Sequence, residues 1–127
     1  MNEELLVKMM AGSIHTIASV AIQPRTVMTN WRLFQVCGAN GGRTRHLVGR
    51  ADYEGRVCSP IVQLDVEALR ATTGSGRIYQ LEGPPGRDGD SDYVFGLWLS
   101  GIGATHCKDL TRALMRLRTM RGAGRQP

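Results

Sequence analysis

Between residues 61 and 81 the sequence IVQLDVEALRATTGSGRIYQL sets three short runs of alternating polarity between two turn signals, and few folds accept that pattern. Val62, Leu64 and Val66 alternate with Ile61, Gln63 and Asp65, the period of two of a half-buried strand. Asp65 opens a tight turn over residues 65–68, because an aspartate at the first turn position accepts hydrogen bonds from the backbone ahead of it. That turn pairs Leu64 with Leu69 and Val62 with Ala71 on one face, and Gln63 with Arg70 on the other. Register chooses the second turn. A two-residue loop at Gly74-Ser75 brings Gln80 beside Leu69, whereas a three-residue loop, Gly74-Ser75-Gly76, brings Tyr79 beside Ala71 and Leu81 beside Leu69. The apolar pattern selects the longer loop, with Gly76 in the left-handed position. Pro84 and Pro85 lack backbone donors and stop the ladder. The expectation is an antiparallel meander whose alternate side chains, from Val62 to Leu81, line one apolar interior.

The flanks attach to that core. Residues 31–38 read as an earlier strand, and Asn40-Gly41 after it is a strong hairpin signal. Symmetric pairing across Asn40-Gly41 sets Cys37 opposite Thr44, Val36 opposite Arg45, Phe34 opposite Leu47 and Leu33 opposite Val48. Both faces of that hairpin are partly apolar, as suits strands with the barrel on one side and a helix on the other. Gly49 and Gly55 mark bends, Arg56 begins the next strand, and Ser59-Pro60 predicts an edge, bulge or corner.

Helices are expected at both ends. Asn2 caps an N-terminal helix over residues 1–23, with Glu3 and Glu4 in its first turn and Leu5, Leu6, Met9, Met10, Ile14 and Ile17 at helical spacing. It either covers one end of the barrel or protrudes and pairs with a second copy. Residues 93–99 are apolar nearly all round and predict a buried helix, capped by Ser91 or Asp90 and stopped by Gly101. An amphipathic helix follows from about Lys108 to Arg121, with Leu110, Ala113, Leu114, Leu117 and Met120 on one stripe. Residues 122–127 read as a frayed tail.

With 127 residues the chain has room for one modest core. The fold class is therefore a single α+β domain: a strongly bent antiparallel sheet, or partly open SH3/OB-like barrel, of about five strands over residues 31–82, flanked by an N-terminal helix and one or two C-terminal helices within residues 91–121. Sixteen glycines favour short strands and turns. Cys37, Cys58 and Cys107 form an odd set without a close pair, which points to a reducing, cytoplasmic setting rather than a disulfide scaffold. No apolar run approaches the roughly 20 residues that span a bilayer, so no membrane partner is expected.

Catalytic and metal signatures are missing. His15, His46 and His106 and the cysteines lack ligand spacing, and Asp88, Asp90 and Asp92 begin like a calcium loop but meet Tyr93 and Leu99 where its glycine and final acid belong. Gly74–Gly76 and Gly101–Gly103 are too short for phosphate-cradling loops. In the symmetric hairpin register Cys37 and His46 share a face as diagonal neighbours, which keeps a cysteine hydrolase as a distant third possibility. No cofactor is implied.

Charge carries the main functional signal. The formal charge is +5 and the pI about 9.6, and only Lys8 and Lys108 among the sixteen basic residues are lysines. Arginine pairs bidentately with phosphate, so nucleic acid or a nucleoprotein is the expected partner of a non-enzymatic binding module. The candidate residues are Arg43, Arg45, Arg50 and Arg56 on one hairpin and its return, and Lys108, Arg112, Arg116, Arg118 and Arg121 on the last helix. The rival expectation is a protein–protein module, such as a small inhibitor encoded by a phage or other mobile element against host machinery. It would use Tyr93, Phe95 and Trp98, or the N-terminal helix.

Overall fold

One long strand organises residues 24–125, the part of the chain that the computed structural model describes. The strand, β1 (Arg25–Cys37), is thirteen residues long and changes neighbours halfway. At Asn30 the backbone turns left-handed, with φ 49°. Asparagine tolerates that conformation better than most residues, and the ladder shifts register between Thr29 and Arg32. The remaining strands are β2 (Arg43–Ala51), β3 (Glu54–Val57), β4 (Ile61–Asp65), β5 (Arg70–Thr73), β6 (Ile78–Leu81) and β7 (His106–Asp109). Helix α1 (Gly89–Gly101) precedes β7 and α2 (Thr111–Arg125) follows it.

The strand order is β3-β2-β1-β6-β5-β4, with β7 on the second edge of β1's later half. The sheet is mixed and has seven strands, not five antiparallel ones. The first half of β1 runs parallel to β6, from Arg25 beside Ile78 to Met28 beside Leu81. This strand starts at Arg25 rather than residue 31, because the free edge of β6 offers its N–H and C=O groups a ladder. β3 and β4, the two ends of the order, are separated by only Cys58, Ser59 and Pro60. A flat sheet would put them five strand spacings apart, about 24 Å. Four steps along the chain reach at most about 15 Å, so the sheet must roll. It rolls without closing. The corner expected at Ser59-Pro60 is there, pinned by the Cys58 N–H to the Leu47 carbonyl (2.9 Å) and the Gly74 N–H to the Pro60 carbonyl (2.8 Å).

The meander is observed with one turn as expected and one altered. Arg70, Ala71 and Thr72 pair with Gln80, Tyr79 and Ile78, and Gly76 sits at φ 92° in the three-residue loop. Tyr79 and Leu81 are buried. Between β4 and β5 the loop is four residues, with Asp65 opposite Arg70 and Leu64 opposite Ala71. Asp65 does cap that turn, its Oδ1 accepting from the Glu67 and Ala68 amides at 3.1 and 3.0 Å. A bulge between Ile61 and Gln63 turns Val62 outward, 65% exposed, where alternation had put it inside.

The β1–β2 hairpin differs by one residue from symmetric pairing. Gly38 and Gly42 close a three-residue loop, Ala39-Asn40-Gly41, with Gly41 at φ 82°. Asn40 does not take a positive φ, and its Oδ1 accepts from the Gly42 amide at 2.9 Å. Cys37 therefore faces Arg43, and Phe34 faces His46. A single-residue slip exchanges the faces of β2.

Two apolar clusters result. Met28, Trp31, Leu33, Leu47, Tyr79, Leu81 and Leu114 pack inside the roll. Phe34, Val36, Val48, Val57, Phe95 and Trp98 pack between the sheet's other face and α1. Burying each such side chain contributes roughly 1.5–3 kcal/mol. Helix α1 approaches so closely that a Cβ on Gly55 would lie 2.6 Å from the backbone of Asp90 and Ser91. Its cap is Asp88, not Ser91 or Asp90: the Asp88 carboxylate accepts from the Ser91 amide at 3.0 Å.

The last helix begins three residues later than expected. Residues 106–109 pair with β1 instead, and the Leu110 amide continues that contact to the Leu33 carbonyl at 2.7 Å. The helix also runs on to Arg125, through much of what reads as tail. Of its apolar stripe, Leu114 is buried and Leu110 half-buried, while Ala113, Leu117 and Met120 lie in the open. The helix expected over residues 1–23 lies outside the described residues. Among those described, no helix is long and apolar enough to cross a membrane.

Candidate nucleic-acid interface

Register across β2, β1 and β7 assembles a surface that no one segment carries. Gln35 of β1 lies opposite Arg45 on one side and Lys108 on the other. Two residues on, Cys37 lies opposite Arg43 and His106. Directly opposed residues point to the same side of a sheet, so these form two parallel rows, Arg45–Gln35–Lys108 and Arg43–Cys37–His106. Arg43, Arg45, His106 and Lys108 are exposed, with Gln35 and Cys37 half-buried between them. From Arg45 to Lys108 is two strand spacings, roughly 10 Å, and the rows are about 7 Å apart. The alternate residues Phe34, Val36 and Val48 belong to the cluster under α1, so the basic rows occupy the face that α1 leaves uncovered.

Helix α2 borders these rows. Arg45 lines a shallow groove with Leu117 and Arg121 of α2 and Val62 of β4. Arg112, Arg116, Arg118 and Arg121 are exposed, and residues 111–125 contain no acid. The Arg118 Nε donates to the Glu67 carbonyl at 3.2 Å, which ties the middle of the helix to the β4–β5 turn.

The other end of β2 holds arginines of a different kind. Arg50 Nη1 meets Asp88 at 3.2 Å and Asp90 at 3.0 Å, and Nη2 donates to the Tyr53 carbonyl at 3.0 Å. These partners raise the Arg50 pKa, the Asp90 hydrogen bond most of all. Burial pushes the Asp88 carboxyl up, but the Ser91 amide and Arg50 outweigh it and hold the group below its ordinary value. Arg56 is buried, with Nη2 at 3.1 Å from Asp52 and 3.3 Å from Glu54. Burial alone would lower its pKa, and Tyr79, Asp52 and Glu54 more than offset that. Arg32 pairs with Asp92, which also meets Arg87 at 3.0 Å. Asp52, Glu54, Asp88, Asp90 and Asp92 thus neutralise four arginines around α1 and β3. Among the described residues no carboxylate pairs with Arg43, Arg45, His106 or Lys108.

Of the basic residues singled out by sequence, Arg43, Arg45 and Lys108 share one face and Arg121 borders it across the groove, whereas Arg118 reaches the β4–β5 turn, Arg116 is exposed on α2, and Arg112 lines a separate groove with Arg32 and Arg87. Arg50 and Arg56 are held by acids elsewhere. His106, Gln35 and Cys37 were missed, although the spacing of His106 and Lys108 is that of one strand face. Of the residues expected to meet a protein partner, Phe95 and Trp98 are buried in the α1 cluster and only Tyr93 is open, at 65% exposure.

The thiol–imidazole pairing is undone by the register. Cys37 points to the basic face, and His46 to the opposite one, beneath Trp98 with ring centroids 4.5 Å apart. His46 Nδ1 lies 2.8 Å from the Cys58 carbonyl, so it carries the proton, and Nε2 accepts from the Thr44 hydroxyl at 2.6 Å. Burial lowers the His46 pKa, against a smaller opposing effect of the Cys58 carbonyl. Among the described residues no three His, Cys, Asp or Glu side chains gather as a metal site would require. No protein-family model matches the chain, and no curated protein or solved structure matches it.

Proposed function

We propose that this chain is a non-enzymatic module that binds nucleic acid by its phosphates, on the β2–β1–β7 face and the adjoining side of α2. The observation that supports it is the segregation of charge. Acids offset arginines around α1 and β3, while Arg43 and Arg45 of β2 and Lys108 of β7, on either side of β1, meet none among the described residues. The sheet fixes the backbone spacing of the guanidinium and ammonium groups, and the counterions that they displace from phosphates drive binding. Retention on an immobilised mixed-sequence oligonucleotide should weaken steeply with salt. It should drop further when Arg43 and Arg45 are both replaced by serine. Retention unchanged by that double replacement would reject this face.

A second reading, a protein-interaction module, draws support from a separate observation. Val62 is 65% exposed and Leu117 39%, and both line the groove between α2 and β4. In that reading a partner would contact the groove rather than Phe95 and Trp98. Binding that persists in high salt and is lost in Leu117→Ser would favour it over the first.

A further inference from the structure

We infer that the basic face takes double-stranded rather than single-stranded nucleic acid, which presupposes that the face binds phosphates at all. Proteins that track a single strand stack its successive bases on aromatic rings, beside a positive groove for the backbone. The chain has two Phe, two Trp and three Tyr residues, and the structure accounts for all of them. Trp31, Phe34, Tyr79, Phe95 and Trp98 are buried. Tyr93 is on α1, across the sheet from the basic rows. Tyr53 is 97% exposed, but on the turn after β2, ten residues beyond Arg43. At strand pitch that is roughly 30 Å away.

Among the described residues the rows themselves offer one flat ring, the His106 imidazole. A tracked strand needs a ring for each of several bases. What remains is a set of cations, and a surface that reads phosphates alone favours the ligand with the densest phosphates. A duplex presents one charge for about every 1.7 Å of its axis. Arg45 and Lys108, roughly 10 Å apart, are also spaced so that long side chains reach the backbones on both sides of a groove about 6 to 12 Å wide.

Fluorescence anisotropy with one labelled strand of about 20 nucleotides tests this, the strand being presented alone and annealed, as DNA and as RNA, and compared at each of several salt concentrations. The expected result is that each duplex binds at least about fivefold tighter than its labelled strand alone, with log affinity falling by about 0.9 per phosphate contacted for each tenfold rise in salt. A preference between the DNA and RNA duplexes would identify the natural source. Single strands that bind within about fivefold of the duplex, or tighter, would overturn the inference and leave the phosphate-binding role intact. Absence of binding by any of the four at low salt would overturn both. Gln35→Tyr places a ring at the centre of the rows and should raise single-strand affinity by about fivefold or more while barely moving the duplex. Single-strand affinity that stays put in this variant, or falls in Tyr53→Gly, would remove the physical basis of the inference.

Discussion

Arg43 and Arg45 begin β2, while Arg50 and Arg56 lie near its end and on the strand it returns into. The four share a residue type, and fourteen positions contain them all. Yet the first pair faces solvent across β1 from Lys108, and the second is held by carboxylates brought in from α1 and from the β2–β3 turn. An arginine meets an outside phosphate only if the fold supplies no inside acid. Position in the fold, not residue type, therefore decides which arginines carry charge to the surface.

The two hairpins at the ends of β2 differ in the same sense. At the basic end, Gly41 takes the left-handed position at no steric cost. At the acid-paired end, the turn places Asp52 at φ 53° and Tyr53 at φ 67°, with no glycine in either position. Asp52 is retained there with a carboxylate on Arg56. Strain at that end accompanies an ion pair that holds a buried charge.

Five replacements, one of them read by a pH titration, break or sharpen this contrast. The largest effect belongs to Arg56→Ala, which strands Glu54 and Asp52 beside a void in the core. It should destabilise by about 3–5 kcal/mol in urea unfolding while leaving nucleic-acid affinity of the folded protein unchanged. A loss below about 1 kcal/mol would mean that the two arginine populations do not differ as described. Next comes the double replacement Arg43→Ser with Arg45→Ser. Its stability should stay within about 0.5 kcal/mol of the parent, and the salt slope of binding should fall by about 2.

Asp88→Ala removes the α1 cap and one Arg50 partner together, and about 1–2 kcal/mol of stability should go with it. The carboxyl's folded pKa is lowered, so its stabilisation is present above the ordinary aspartate value and lost as pH falls through the folded one. A titration reports on His46, whose folded pKa is also lowered. The unfolded chain takes up that proton first, so stability should fall as pH drops below about 6.5, the ordinary value. His46→Gln should flatten that part of the profile, and a profile unchanged by the replacement would show that the neutral buried ring is not its source. The smallest effect is Tyr53→Gly, which relieves the left-handed position and should stabilise by about 0.5–1 kcal/mol in thermal unfolding, with duplex binding unmoved.

Local chemistry made parts of this fold legible. The Gly74-Ser75-Gly76 loop was readable because only one loop length puts Tyr79 and Leu81 on the same side as Leu69 and Ala71. The Ser59-Pro60 corner and the helix ending at Gly101 were readable for similar reasons, each depending on neighbours within a few residues, although only Phe95 and Trp98 of the apolar run 93–99 are buried. Val62 was misread because a bulge is a choice of hydrogen bonds, and alternation of polarity does not record it. The β1–β2 register was misread because Asn40-Gly41 suits both a two-residue and a three-residue loop, and both faces of β2 are apolar enough to accept either. That one step decided whether Cys37 met His46 or Arg43.

The sequence on its own determined the local pieces: the meander's second turn, the corner, the helix ending at Gly101 and the excess of arginine. Only the tertiary structure decided that β1 runs parallel to β6 and that residues 106–109 become a strand. The same holds for which arginines face water. The physical reason is distance along the chain. Pairing Gln35 with Lys108, or Arg50 with Asp88, joins groups tens of residues apart, and no local preference of either partner encodes that meeting.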